Sequence, residues 1–210
     1  MIMGLKSYLV FTSLFYRIAV FALMPLSLIG IGLWTGQSIG GAEMIVAAML
    51  LPMAEILSDN WLFGGIQTKD PEKMDYLKTS GRGMGIIRRA LAMDMVRRFC
   101  TALCTIGVCY LMPWLVYGRK EDIGVALYFV LMPYFFSVLG TFLSRYGSLL
   151  WLNMTIGYGA SFFVTAGLLL LGLSEYILLL DLVFGVLGIS ASIFAVRVAM
   201  KKVEGGYYDK

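Results

Sequence analysis

LLWLNMTIGYGASFFVTAGLLLLGLSEYILLLDLVFGVLGISASIFAV, residues 149–196, carries only two formal charges, Glu175 and Asp181. It contains two apolar stretches, Leu149–Leu171 and Tyr176–Val196. Each reaches the roughly 20 residues that a helix needs to cross a hydrocarbon core. Only Gly172, Leu173, Ser174 and Glu175 separate them, so the pair reads as a tight helical hairpin. Working outward, comparable runs fall at Ile18–Trp34, Phe99–Tyr117 and Val125–Leu143. A sixth, Met44–Leu57, needs its flank through Trp61 and Phe63 to reach across and is taken as 44–63. The expected fold is therefore all-α: a polytopic membrane protein with six transmembrane helices in one domain over 1–210, and a polar loop at 64–98.

Composition agrees. Of 210 residues, 60% are apolar and 14% charged, and the mean hydropathy is +0.82. Soluble domains sit nearer roughly 45–50% apolar and 25% charged, so a water-soluble chain this short has more apolar side chain than it can bury. Six spans use roughly 120 residues and leave about 90 for loops and ends, which excludes a large extramembrane domain. The first apolar stretch, interrupted by Arg17, has no small-residue cleavage pattern and is expected to stay in the mature protein.

The cations set orientation. Lys and Arg in short loops stay cytoplasmic. With the N-terminus inside, fifteen of the seventeen cations fall on the cytoplasmic side, and only Arg119 and Lys120 fall outside, beside Glu121 and Asp122. This division needs an even number of spans, so both termini are expected in the cytoplasm. The formal charge of +4 is thereby accounted for without a nucleic-acid partner. Cys100, Cys104 and Cys109 share one apolar stretch without CxxC spacing and read as small apolar residues rather than a metal or disulfide site. Pro25, Pro52, Pro113 and Pro133 lie within or at the ends of spans, where each favours a kink.

The polar segment Ser58–Arg98 has readable punctuation. Asp70 is a good N-cap, Pro71 suits the first helical position, and Gly81 suits a left-handed end. A helix of about ten residues, Pro71–Ser80, would be marginal alone in water. Its narrow apolar face, Met74 and Leu77, fits either a groove in a partner or a bed of lipid headgroups. Downstream, Ile86, Ile87, Ala90, Leu91 and Met95 alternate with Arg88, Arg89, Asp94, Arg97 and Arg98 in a second helical pattern that runs directly into the third span. Asp94 can pair with Arg97 or Arg98 on its own helix. Glu55 and Asp59, one turn apart at the cytoplasmic end of the second span, are alternative partners, so these five residues form a candidate ion-pair cluster. Asp181 is the one acid clearly inside a span and a candidate gate or substrate contact.

This layout resembles the permease subunits of type-2 exporter-family ATP-binding-cassette (ABC) transporters. The likeness rests on an interfacial N-terminal stretch, six spans, and the segment Glu72-Lys-Met-Asp-Tyr-Leu-Lys-Thr-Ser-Gly-Arg-Gly-Met-Gly-Ile-Ile-Arg-Arg-Ala-Leu. That segment looks like the family's first cytoplasmic loop, with Thr79, Ser80 and Gly81 where many such permeases carry a proline. The resemblance implies that Pro71–Arg82 is a coupling helix on which a separate ABC ATPase docks. Its interface would be Met74, Asp75, Tyr76, Leu77, Lys78, Thr79, Ser80, Gly81 and Arg82. It also implies a second permease, the same chain or a related one, and a bacterial plasma membrane. ATP and Mg would be bound by the partner, and this chain would bind no cofactor. The absence of GxxxxGK[ST] agrees. The chain's compactness is similar to that of small bacterial exporters of antimicrobial or amphipathic peptides.

Two further readings stand beside it. An accessory or immunity subunit of an exporter has the same sequence features. An ion-coupled transporter or channel usually places charges near the midplane, where these spans are nearly bare. Enzyme chemistry is disfavoured: without a single His, no His-assisted nucleophile is available.

Overall fold

The computed structural model describes residues 2–39, 42–59, 80, 82–118, 122–146, 150–170 and 173–208. Among them the chain is helical throughout, with no strand. We number the helices α1 (Ile2–Val10), α2 (Leu14–Ile18), α3 (Met24–Ile39), α4 (Glu43–Asp59), α5 (Gly83–Tyr117), α6 (Ile123–Tyr146), α7 (Leu150–Leu170) and α8 (Ile177–Tyr208). A π-helical turn, Ala19–Leu23, joins α2 to α3, and a 3-10 turn, Leu173–Tyr176, precedes α8.

Local chemistry places the breaks. After α1 the Arg17 guanidinium turns back and donates to the carbonyls of Leu9 (2.8 Å) and Thr12 (3.2 Å), groups that the ended helix leaves without partners. Ser13 then starts α2 by accepting from the Tyr16 N–H at 3.2 Å. Pro25 has no N–H to donate, and its ring crowds the carbonyl four residues earlier. The turn just before it is the π-helical one, a common relief for such crowding. Gly118 closes α5 in the left-handed conformation, φ 66°, which costs a glycine little.

Four helical segments are long and apolar enough to cross a membrane: Leu14–Gly36, Gly83–Val116, Ile123–Leu143 and Ile177–Lys201. Of the other two expected spans, α4 has 17 residues, and the flank at 60–63 meant to complete it lies outside the described residues. In α7 the helix runs through 21 residues, with side chains described only over 155–167. The helices also overrun the expected spans. The first column begins at Leu14 rather than Ile18, α5 begins at Gly83 rather than Phe99, and α8 continues past Val196 to Tyr208. Hydropathy marks where a helix meets the apolar slab, whereas backbone hydrogen bonding carries it on until something breaks it. At 1.5 Å per residue the 35 residues of α5 extend roughly 50 Å, well beyond a hydrocarbon core of about 30 Å.

Successive segments alternate in direction. The C-terminal part of α3 meets the start of α4, where Gly32 lies against Glu43 and Ala47, while Phe15–Ser27 face Ala54–Ser58 at the other end. Met95 of α5 clusters with Ala195 of α8, and Ile87 and Leu91 with Ala199, so these two long helices run antiparallel. Helices α6 and α8 are parallel, matching Gly124 to Ile177 and Tyr134 to Gly188.

Helix α4 packs against α3, α5, α6 and α7, and α6 against α4, α5, α7 and α8, so these two lie at the centre of the bundle. In α4, Ala47, Ala48, Leu51 and Ile56 are fully buried. Ile56 wedges between α6 and α7 at two glycines. A Cβ at Gly140 would overlap the Ile56 Cδ1, and one at Gly157 would come within 3.0 Å of it. The outside of the bundle is the reverse of a soluble protein's: Trp34, Phe163 and Leu178 are 72–77% exposed, within a wide belt of large apolar side chains.

The wedge is testable. Gly140→Ala should lower thermal stability in detergent by about 1–3 kcal/mol through overpacking. Adding Ile56→Val, which removes the overlapping methyl, should recover part of that loss in the same melting assay.

Candidate functional site

Four charged side chains meet where the last turns of α4 approach the middle of α5. Glu55 comes from α4, and Asp94, Arg97 and Arg98 come from α5. All four are 4% exposed or less. The helical spacings i, i+3 and i, i+4 bring both arginines to Asp94: Arg97 Nε donates to Oδ1 at 3.1 Å and Arg98 Nε to Oδ2 at 3.0 Å. Arg97 then reaches across to α4 and binds Glu55 with both terminal nitrogens, Nη1 to Oε1 at 3.1 Å and Nη2 to Oε2 at 2.6 Å. This is the planar, two-point pairing that guanidinium and carboxylate favour. Arg98 Nη1 lies 3.5 Å from Glu55 Oε2, and it donates to Thr141 Oγ1 on α6 at 2.7 Å and to the Glu55 carbonyl at 3.4 Å.

Neutral groups complete the shell. Ser58 Oγ donates to the Glu55 backbone at 2.8 Å and stands 3.4 Å from its Oε2. From the N-terminal helix, Tyr8 donates to Asp94 Oδ1 at 3.4 Å and meets the Tyr16 hydroxyl at 3.0 Å. A hydroxyl has one proton to give, so with Tyr8 committed to Asp94, Tyr16 is the donor between the two phenols. Burial pushes the Tyr8 phenol well above its usual value near 10, and the Asp94 carboxylate pushes it further the same way. The two carboxylates and two guanidiniums cancel formally, and every one of them is hydrogen-bonded, the condition for holding ions away from water. Helices α1, α4, α5 and α6 are all joined through this knot.

The arrangement joins four helices through paired ions. Among the described residues no group of three or more His, Cys, Asp or Glu could hold a metal ion. Cys100 and Cys104 are exposed on α5 and Cys109 is buried.

Of the five residues expected to cluster, the structure brings Glu55, Asp94, Arg97 and Arg98 together, while the Asp59 side chain lies outside the described residues. Tyr8, Tyr16 and Thr141 were not foreseen. A tyrosine in a mostly apolar helix and one Thr in an apolar span give little signal on their own. Of the expected coupling-helix interface, Met74, Asp75, Tyr76, Leu77, Lys78, Thr79 and Gly81 lie outside the described residues. Ser80 accepts from the Gly83 N–H at 3.0 Å at the entry to α5, and Arg82 is exposed beside it. Asp181 is not part of the network. It lies in the first turns of α8, 6% exposed, and neither carboxyl oxygen has a hydrogen-bond partner in the structure.

Comparison with protein-family models, with curated proteins and with solved structures finds no match. The class is therefore defined by the molecule itself. Ions and their hydrogen-bond partners are inside, large apolar side chains are outside, and four helices are long enough to span: this is a multi-pass α-helical membrane protein.

Removing both partners of the buried pair should cost less than the two single removals added together. Glu55→Gln and Arg97→Gln should each destabilise by about 3–5 kcal/mol, and the double variant should lose less than their sum in a double-mutant cycle read by thermal unfolding. Additive losses would contradict the pairing. Tyr8 gives a pH signature. Because folding raises its pKa, its contribution is intact below the free-phenol value of about 10 and is lost as pH rises beyond it. Tyr8→Phe should therefore lose less stability than the unaltered protein between about pH 9 and 11, measured as the difference between their melting temperatures.

Proposed function

We propose that this chain is the membrane-spanning subunit of an ATP-driven exporter, with six helices across the bilayer, both termini in the cytoplasm and energy supplied by a separate ABC ATPase. The observation that carries this reading is the ion network's position. Residues 60–82 leave from the end of α4, four residues after Glu55, and return into α5, which carries Asp94, Arg97 and Arg98. A force applied to that segment meets two helices joined by charged hydrogen bonds, and α6 is attached through Thr141. Converting an external push into helix movement needs such a stiff junction.

Other features support the same reading. Helices α3 to α6 alternate in direction, a six-span reading of the sequence puts fifteen of the seventeen cations on one side, and the sequence has no phosphate-cradling motif. The resemblance to exporter permeases adds the ATPase and a second permease, and the chain's compactness adds an amphipathic or antimicrobial peptide as the cargo class. An ion-coupled carrier is the second reading. It is favoured by Asp181, an enclosed carboxyl inside a spanning helix without a hydrogen-bond partner among the described residues.

Affinity-tagged protein purified from its native membrane should recover an ATPase subunit. Leu77→Asp, which puts a charge on the narrow apolar face of the expected coupling helix, should reduce that recovery at least about tenfold while the melting temperature stays the same. Recovery of no ATPase by the unaltered chain would overturn the exporter reading. Loss of transport in Asp181→Asn under an imposed proton gradient, with no ATPase present, would put the carrier in its place.

A further inference from the structure

The two long antiparallel helices leave an open groove of about 570 Å³ between the first part of α5 and the last part of α8. Its floor is apolar: Met95 is 5% exposed, and Val196 is partly buried beside it. Its rim carries three exposed cations, Arg88 from α5 and Arg197 and Lys201 from α8, and none of the lining residues is acidic. None of these cations makes an ion pair among the described residues.

The register of the two helices gives the groove a polarity. On α8, Ile189, Ile193, Arg197 and Lys201 follow one another at i, i+4 and share one face, with Ile189 and Ile193 at 63% and 50% exposure. On α5, Arg88, Ala92 and Val96 do the same in the opposite chain direction, with Val96 at 47%. Because α5 and α8 run antiparallel, the basic ends of both stripes coincide, and so do the apolar ends. The groove is thus cationic at one end, and at the other it opens onto the apolar belt that faces lipid.

We propose that this groove is a binding site for one anionic phospholipid, its phosphate held by Arg88, Arg197 and Lys201 and its acyl chains lying along Ile193 and Val96. Charge complementarity selects this occupant. Three uncompensated cations at the membrane boundary attract an anionic headgroup, and only a molecule with apolar tails also covers the lipid-facing stretch. A soluble phosphate satisfies the rim and leaves the floor bare. The proposal rests on the membrane class alone and does not depend on the exporter reading.

The test is native mass spectrometry of the purified full-length chain titrated with phosphatidylglycerol, phosphatidylcholine or inorganic phosphate. The unaltered protein should retain one phosphatidylglycerol at least about tenfold more strongly than phosphatidylcholine, three cations near the surface being ample for that ratio. Excess inorganic phosphate should not displace it. Arg88→Gln/Arg197→Gln/Lys201→Gln should abolish the preference, while Arg89→Gln, an exposed cation on the same helix that does not line the groove, should keep it. Equal retention of the two lipids by the unaltered chain, displacement by phosphate alone, or a triple variant that behaves as the unaltered chain would each overturn the proposal. If the triple variant does not fold, the comparison of lipids on the unaltered chain and on Arg89→Gln decides the matter.

Discussion

Arg97 is buried in the middle of α5 and extends both terminal nitrogens to the Glu55 carboxylate on α4, with Asp94 holding its Nε from behind. In a bundle whose exterior is apolar, none of these charges has water as an alternative partner. Each is tolerable only while the others are in place, so the last turns of α4 and the middle of α5 are constrained to one relative position. Arg98 extends the constraint to α6 by its bond to Thr141, and Tyr8 brings the N-terminal helix to the same point. A buried ion pair is weak evidence for extra stability, since an apolar replacement of similar shape can do as well. Its stronger effect here is on register: two apolar helices can slide along each other, whereas a two-point guanidinium–carboxylate contact admits a single alignment.

That alignment matters because of what it brackets. The knot joins α4, four residues before its end, to the middle of α5, so it flanks residues 60–82, which connect these two helices in the sequence. The overhang of α5 beyond the apolar slab packs against α8 through Ile87, Leu91 and Ala199, and the two helices make a platform at that end of the bundle. One side of that platform faces the ion network and the other holds the basic groove. The same helix thus presents Asp94, Arg97 and Arg98 inward to protein and Arg88 outward, a division set by the 100° step between successive residues. Ile56, one position after Glu55, lies in the notch formed by Gly140 and Gly157, so close steric packing and ionic pairing act on the same turn of α4.

The general architecture was legible because its causes are local. Long apolar runs, the short Gly172–Glu175 connection and the uneven distribution of Lys and Arg are visible without any knowledge of contacts. The i, i+3 and i, i+4 placement of Arg97 and Arg98 relative to Asp94 is equally local, since an α-helix forces those residues onto one face. Helix ends were less legible: Gly83 begins α5 well before the hydropathy rises, as hydrogen bonding continues through polar residues that a membrane would not admit.

Composition and periodicity were thus sufficient to specify a helical membrane protein and the residues available for pairing. They left open which carboxylate each arginine takes, and they gave no hint of Tyr8, Tyr16 or Thr141, which stand 86, 78 and 47 positions from Asp94 along the chain. Partners at such separations are chosen when helices pack, since only then do the surviving hydrogen-bond directions of a buried guanidinium or carboxylate acquire definite neighbours.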